Sequence, residues 1–145
     1  MEYSRSKKYD TKLIREKMMG PNPLKLQEEL LSGHRIPQNA LVMDLGSGQG
    51  VTSVFLAKEY GFRVFAVDLW SDPTENQRFF AQMGLAPAQI MPIHADATAL
   101  PFAEETFDAV VCTDSYNFFG CDPTYLGTHL LPFVKHGGYL YLTVP

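Results

Sequence analysis

Short apolar runs alternate with amphipathic stretches from about residue 40 to the end of the chain. The runs are apolar on both faces, as strands buried in a parallel sheet are. They are ALVMDL (40–45), RVFAVDL (63–69), IMPIHAD (90–96), DAVVCTD (108–114) and YLYLTVP (139–145). Between them, apolar residues recur at three- and four-residue spacing, as at Val51, Val54 and Phe55. The alternation predicts an α/β fold, a Rossmann-like, doubly wound and mainly parallel sheet.

Capping residues, glycines and prolines predict where helices begin and end and how the strands are ordered. Three helix starts are predicted by a capping side chain before a proline, at Asn22-Pro23, Asp72-Pro73 and Asp122-Pro123. Four glycines are placed to end helices in the left-handed conformation, namely Gly33, Gly61, Gly84 and Gly137. Pro92 inside the third strand predicts an edge position, which agrees with the order 3-2-1-4-5. Pro132 should kink or split the last helix.

The length and the charge distribution predict a single domain with an acidic body. The 145 residues fit one domain, 1–145, with an N-terminal helical cap at 1–38 and a Rossmann-like core at 39–145. The first 18 residues hold six of the twelve Lys and Arg residues against three acids, although the net charge of the chain is −4. We interpret the basic segment as a solvated first helix. The acidic remainder argues against nucleic-acid binding.

Nothing in the sequence predicts a membrane span, an export signal or a metal site. No apolar run is long enough to cross a bilayer, and the N-terminus has no apolar core after its charges. The two cysteines, Cys112 and Cys121, have no metal-binding or redox spacing. We therefore expect reduced thiols and a cytoplasmic location.

The stretch VMDLGSGQG (42–50) places three alternating glycines directly after a strand and before a helix. Such a loop lets the backbone approach a bound ligand closely. The fingerprint of dinucleotide-binding loops, G-x-G-x-x-G, fits poorly, because Val51 stands where its third glycine should be.

An aspartate lies at or near the end of each of the first four predicted strands. These residues are Asp44, Asp68, Asp96 and Asp114. Ligands of open α/β sheets bind outside the carboxyl ends of the strands, so the four carboxylates are expected to converge on one crevice. They would repel a pyrophosphate, and Asp68 has nearly the spacing from the loop at which an acid binds ribose hydroxyls. The ligand should carry a ribose, a positive charge and no phosphate, and S-adenosylmethionine meets this description.

Residues 40–145 resemble the class I S-adenosylmethionine-dependent methyltransferases. VMDLGSGQG is similar to the first motif of that family, VFAVDLW to the second, and HADATALPFAEETFDAVVCTD to the next. The phrases LPF…FD and FVKHGGYLYLTVP resemble the branch of quinone-biosynthesis and other small-molecule methyltransferases. The resemblance implies methyl transfer from S-adenosylmethionine to a small-molecule acceptor by in-line displacement.

The resemblance also implies roles for individual residues. The loop with Gly46, Ser47, Gly48 and Gly50 would lie under the methionine part of the cofactor. Asp68 would hold both ribose hydroxyls, and Leu69 would pack on the adenine. Asp96 would accept a hydrogen bond from the adenine amino group, and the Ala97 backbone would meet the ring. Asp44 completes the cofactor set, and Asp114 would lie nearer the methionine end.

The acceptor side is less clearly marked. Candidates for substrate contact are Tyr116, Asn117 and His129, while Tyr3 and Tyr9 could fold over the cofactor. The family's sixth and seventh strands are absent from this chain, which stops at the fifth. We therefore expect a fragment, or a strand-5 edge that is covered by something else or self-associates.

Two other functions remain open from the residues alone. One is a dinucleotide-dependent oxidoreductase, which would require neither Asp44 nor Asp96. The other is a non-catalytic cofactor-binding module within a larger assembly.

Overall fold

The computed structural model describes residues 3–9, 12, 16–17, 22–113 and 115–143. The described elements include five strands and three α-helices. The strands are β1 (Leu41–Leu45), β2 (Arg63–Asp68), β3 (Ile90–His94), β4 (Phe107–Cys112) and β5 (Val134–Leu142). The helices are α1 (Pro23–Leu30), α2 (Val51–Tyr60) and α3 (Pro73–Gln82). Strands and helices alternate from α1 to β3 as the sequence predicts, but no α-helix is described between β3 and β4 or between β4 and β5. Short 3-10 turns occur at Ser6–Lys8, Tyr116–Phe118 and Leu131–Phe133.

All four strand pairs are parallel, and the strand order is β3-β2-β1-β4-β5. This confirms the predicted Rossmann-like sheet and its order 3-2-1-4-5. Pro92 lies in β3 opposite Ala66 of β2, at the sheet edge that a proline requires.

The first two predicted helix starts are confirmed. The Asn22 side chain accepts hydrogen bonds from the backbone N–H groups of Leu24 and Lys25, and that of Asp72 accepts one from Thr74. Each of these caps satisfies N–H groups that the first helical turn leaves without a partner.

The third predicted helix start, at Asp122-Pro123, is wrong. The Asp122 carboxylate does accept from the Thr124 N–H at 2.9 Å, but the turn that it closes is not continued as an α-helix. A π-helical turn, Leu126–Leu130, follows, and then the 3-10 turn Leu131–Phe133. Pro132 splits the segment as predicted, because it supplies no N–H to an α-helical ladder.

Gly33, Gly61 and Gly84 adopt the predicted left-handed conformation after helices. Gly137 is also left-handed, but it lies inside β5 and ends no helix, so its predicted role is wrong. The register explains this, because Phe107 pairs with Val134 whereas Ala109 pairs with Tyr139. The extra residues form a bulge, and β5 therefore begins at 134, well before the predicted 139.

The sheet is covered by apolar side chains on both faces. Alternate strand residues belong to two separate clusters, with Val42 and Ala109 in one and Met43 and Val110 in the other. The first cluster includes Leu24 of α1 and Phe55 of α2. The second includes Tyr125, which is 1% exposed. Burial on both faces explains why the strands read as continuous apolar runs. Within the described residues no helix has the length and apolarity needed to cross a membrane.

Candidate functional site

A cleft of about 840 Å³ opens at the carboxyl ends of β1, β2, β3 and β4. After β1 the chain adds β2 and β3 on one side of it, and β4 and β5 then lie on the other side, so the cleft lies where the strand order reverses. Four segments line it, at 45–49, at 67–71, at 95–98, and at Thr113, Ser115, Phe118 and Phe119. Lys17, Pro23, Val51 and Thr52 complete the lining.

The glycine loop at 46–50 forms the floor of the cleft. The backbone N–H groups of Gly46 and Ser47 donate to the Val67 carbonyl at 2.8 and 3.1 Å, which fixes the loop against β2. Gly46 has φ +77°, and a Cβ there would lie 2.7 Å from the Ser115 Cβ. Gly48 has φ +57°, and a Cβ there would meet no atom within 4 Å. Gly46 is thus needed for packing, whereas Gly48 leaves bare backbone facing open space.

Ser47 carries a buried hydroxyl in this loop. The residue is 5% exposed, and its Oγ has no hydrogen-bond partner among the described residues. Buried polar atoms in native proteins nearly always have a partner. An unpaired hydroxyl that lines a cleft therefore indicates a polar ligand group.

Asp44 lies beneath the loop and does not line the cleft. It is 1% exposed, and its Oδ2 accepts hydrogen bonds from Thr52 Oγ1 at 2.6 Å and Ser53 Oγ at 2.7 Å. Burial raises the pKa of Asp44 to about 6; the two hydroxyls oppose the shift, and the charge of Asp68 adds to it. Its carboxylate therefore holds the first turn of α2 against β1. Contact of Asp44 with a cofactor stays a prediction.

Asp68 lies at the cleft and connects two loops. Its Oδ1 accepts from the Gly48 N–H at 3.2 Å, and its Oδ2 accepts from the N–H groups of Trp70 and Ser71. The buried Asn76 side chain of α3 reinforces this link by donating to the Gly48 carbonyl at 3.0 Å and to Ser71 Oγ at 3.1 Å. Sequence reasoning missed Asn76, since a polar residue on a helix gives no distinguishing signal.

Asp96 and Ala97 follow β3 on the far wall. Asp96 Oδ1 accepts from the N–H and the hydroxyl of Thr98 at 2.9 and 2.7 Å, and these bonds lower the pKa of Asp96. Its other oxygen has no hydrogen-bond partner among the described residues. The Ala97 carbonyl accepts from the Tyr125 hydroxyl at 2.8 Å, which ties this wall to the second apolar cluster.

The cleft thus brings Gly46, Ser47, Gly48, Asp68, Leu69, Asp96 and Ala97 into one lining. Gly50, the N-cap of α2, lies buried at the end of the loop. Asp114 lies outside the described residues.

The predicted substrate and lid residues lie elsewhere. Tyr116 and His129 pack against the Tyr125 ring, with centroids at 5.9 and 5.7 Å, and neither lines the cleft. The side chain of Asn117 is outside the description. Tyr3 hydrogen-bonds Glu29 of α1, and Tyr9 donates to Glu59 of α2, so neither covers the cleft.

Three aromatic residues at the cleft, Trp70, Phe118 and Phe119, were not predicted. Isolated aromatic residues in loops have no periodicity that could have revealed them. Among the residues that the structure describes, no group of His, Cys, Asp or Glu is arranged to hold a metal ion.

The chain is similar to known methyltransferases in sequence and fold. The family model of a methyltransferase domain matches residues 42–138. The 2-methyl-6-phytyl-1,4-hydroquinone methyltransferase of Synechocystis sp. is 33% identical over 107 residues, which cover 72% of this chain and 32% of that protein.

Two solved structures extend the comparison. One is described as a sarcosine dimethylglycine methyltransferase from Galdieria sulphuraria and has a TM-score of 0.74 at 20% identity, covering 92% of this chain and 51% of its own. The other is an S-adenosylmethionine-dependent methyltransferase from Geobacter sulfurreducens in complex with S-adenosyl-L-homocysteine. Its TM-score is 0.64 at 19% identity, covering 86% of this chain and 48% of its own. The chain spans about a third of the curated relative and about half of each structure.

Proposed function

The chain belongs to the methyltransferase domain family, and on that basis we propose that it binds S-adenosylmethionine and directs its methyl group to a small-molecule acceptor. We further propose that 1–145 forms one cofactor-binding domain, with a helical cap at 1–38 and the core at 39–145. One observation carries the proposal: the glycine loop, Asp68 and Asp96 line a single cleft at the carboxyl ends of successive strands.

The donor set fits the proposed cofactor. S-Adenosylmethionine carries an amino acid, a ribose with two hydroxyls, an adenine and a sulfonium. The unpaired Ser47 hydroxyl and the open backbone at Gly48 suit the amino-acid part. The unpartnered oxygen of Asp96 suits the adenine amino group. The lining includes Asp68 and Asp96 as acids, with Lys17 as the one described cation, so it favours a cationic guest over a phosphate.

Each residue contributes a distinct element of binding in this proposal. Gly46, Ser47, Gly48 and Gly50 form the cradle for the methionine part. Asp68 holds the ribose hydroxyls and Leu69 covers the adenine, which Asp96 and the Ala97 N–H recognise at its edge. Asp44 acts from below by holding the start of α2. Asp114 keeps its proposed place at the methionine end.

When bound, S-adenosylmethionine supplies a methyl group on a sulfonium, which the acceptor takes by in-line displacement while S-adenosylhomocysteine leaves and the acceptor's proton passes to solvent. The chain's own task is alignment, which is worth roughly 7–11 kcal/mol in favourable cases. No histidine lines the cleft among the described residues. The described walls therefore orient the acceptor, and its proton passes to solvent without a histidine base in this part of the cleft.

Calorimetric titration with S-adenosylhomocysteine tests the proposal, and the chain offers a matched pair of variants. Asp122 accepts from the N–H and hydroxyl of Thr124 at 2.9 and 2.8 Å, which reproduces the turn of Asp96 outside the cleft. We expect Asp96→Ala to weaken binding roughly tenfold, as loss of a charged hydrogen bond does, and Asp122→Ala to leave it unchanged. Absence of binding by the unaltered chain, or equal affinity in both variants, would contradict the proposal.

A further inference from the structure

Two strongly exposed aromatic residues lie at the cleft. Trp70 is 76% exposed and Phe118 is 64% exposed, and they are the most exposed of the large hydrophobic residues described. Both line the cleft, as does the half-buried Phe119. Apolar surface gathered at one concave site indicates a binding surface, because scattered exposed residues would show no such grouping. We call Trp70, Phe118 and Phe119 the aromatic mouth.

The aromatic mouth reaches from the rim of the cleft to the glycine loop. Trp70 follows β2, and its backbone N–H donates to the Asp68 carboxylate at 3.1 Å. Phe118 lies in the 3-10 turn after β4. Because β2 and β4 flank β1, the two rings come from opposite sides, and their centroids are 5.7 Å apart at 81°. A Cβ on Gly46 would lie 4.0 Å from the Phe119 ring.

Among its described residues, the wall that follows β4 offers few polar groups to a ligand. Beyond Thr113, its described cleft residues are Ser115, Phe118 and Phe119. The Ser115 hydroxyl already donates to the Leu45 carbonyl at 3.0 Å. The charged side chains that the structure describes in the cleft, Lys17, Asp68 and Asp96, belong to other segments. This wall therefore presents flat apolar rings, which stack on planar partners.

We propose that the aromatic mouth binds the methyl acceptor and that the acceptor is a planar, uncharged aromatic compound. That the ligand is a methyl acceptor rests on the proposed function, but its binding to the aromatic mouth can be measured separately. The Asp68 and glycine-loop side of the cleft remains for the cofactor, and the acceptor enters along the rings that end beside Gly46.

Calorimetry with 2-naphthol, with and without S-adenosylhomocysteine, tests this inference. 2-Decalol has the same carbon skeleton without planarity, and choline represents a cationic ligand that aromatic rings also attract. We expect 2-naphthol to bind and both other ligands to bind at least roughly fivefold more weakly, since neither stacks its faces on the rings.

Leucine variants test whether binding requires the flat faces of the rings or only apolar side chains. Trp70→Leu and Phe118→Leu keep apolar side chains but remove the flat faces, and each should weaken 2-naphthol binding roughly fivefold. Phe133→Leu, which alters a ring outside the cleft beside Phe102, is the matched control and should bind normally. Thermal unfolding and S-adenosylhomocysteine titration of each variant establish that the fold and the cofactor site persist.

The outcomes distinguish the two proposals. A chain that binds S-adenosylhomocysteine but does not prefer 2-naphthol to 2-decalol, or prefers choline, overturns the aromatic acceptor alone. Unchanged 2-naphthol affinity in both ring variants does the same. A chain that binds 2-naphthol through these rings but never binds S-adenosylhomocysteine retains the aromatic site and loses the proposed function.

Discussion

Gly48 and Gly33 share a left-handed backbone but differ in what lies beside them. Their φ values are +57° and +74°, and a Cβ on either meets no atom within 4 Å. Gly48 lines the cleft, whereas Gly33 follows α1 outside it. Alanine at either position should cost about 1–2 kcal/mol of backbone strain. Only at Gly48 would the new methyl group also occupy the face that a ligand must approach.

We therefore predict that Gly48→Ala abolishes measurable S-adenosylhomocysteine binding, while Gly33→Ala loses a similar amount of stability and binds normally. Urea unfolding gives the stability of both variants, and calorimetry gives their affinity. Equal affinities in variants of equal stability would mean that the loop does not contact the ligand.

At the scale of single residues, the sequence predicted that the aspartates lie at the ends of strands, but it could not predict which way their side chains point. Asp68 and Asp96 face the cleft as expected. Asp44 turns into the protein, because the hydroxyls of Thr52 and Ser53 lie beneath the loop to receive it. The partners of a carboxylate depend on how α2 docks on β1, and one sequence does not specify that docking to an ångström.

At the scale of elements, α2 begins over a buried carboxyl group whose ionisation should couple to stability. The pKa of Asp44 is raised from its ordinary 3.8 to about 6. The folded state therefore holds this proton more tightly than the unfolded state. The stability that Asp44 contributes is fully present below about pH 4, falls as the pH rises toward about 6, and stays low above it.

Asp44→Asn should remove this dependence, since the amide oxygen still accepts from the hydroxyls and no proton is lost. The variant's free energy of unfolding, relative to the unaltered chain, should increase by up to about 3 kcal/mol between about pH 4 and 6. Asp122→Asn is the opposite case, because hydrogen bonds from Thr124 lower the pKa of Asp122. The Asp122→Asn variant should lose stability, relative to the unaltered chain, only at pH values above 3.8, the ordinary pKa of aspartate. Urea unfolding across this range measures both, and parallel profiles would refute the coupling.

Elements with strong local signals were predicted well, and those that depend on tertiary context were not. The Asn22 and Asp72 caps each precede a proline and a full helix, so local chemistry was sufficient. Asp122 has the same local signal, yet the segment that follows it forms a π-helical turn and, at Pro132, a 3-10 turn instead of an α-helix. The Gly137 bulge arises from the pairing of β5 with β4, which lies far from it in sequence.

At the scale of the whole molecule, β5 is the terminal strand of the described sheet and is strongly apolar. Its residues Tyr139, Leu140, Tyr141 and Leu142 are half-buried, and no described strand pairs with its outer side. An apolar edge of this kind tends to pair with another strand. We propose that the 145-residue chain self-associates through β5.

Tyr141→Lys should reduce this association, because an edge lysine opposes strand pairing while its stem can still cover apolar surface. Gln77→Lys makes the same change of charge on the exposed face of α3 and should associate like the unaltered chain. Sedimentation over a range of concentrations measures the difference. A chain that stays monomeric at every concentration would exclude the β5 interface.

The strand order could be predicted because it follows from repeated local facts: alternating elements, a proline at one edge and right-handed crossovers. The walls of the cleft could not, since Trp70 and Phe118 come together only once β2 and β4 take their places beside β1.

Asp68 and Asn76 together bind the glycine loop to the loop after β2, through Gly48 on one side and Trp70 and Ser71 on the other. Loss of either side chain would therefore loosen both loops together. The segment after β4 stands outside that arrangement. Substitutions in that segment would alter one wall of the cleft and leave the hydrogen bonds between the other two loops in place.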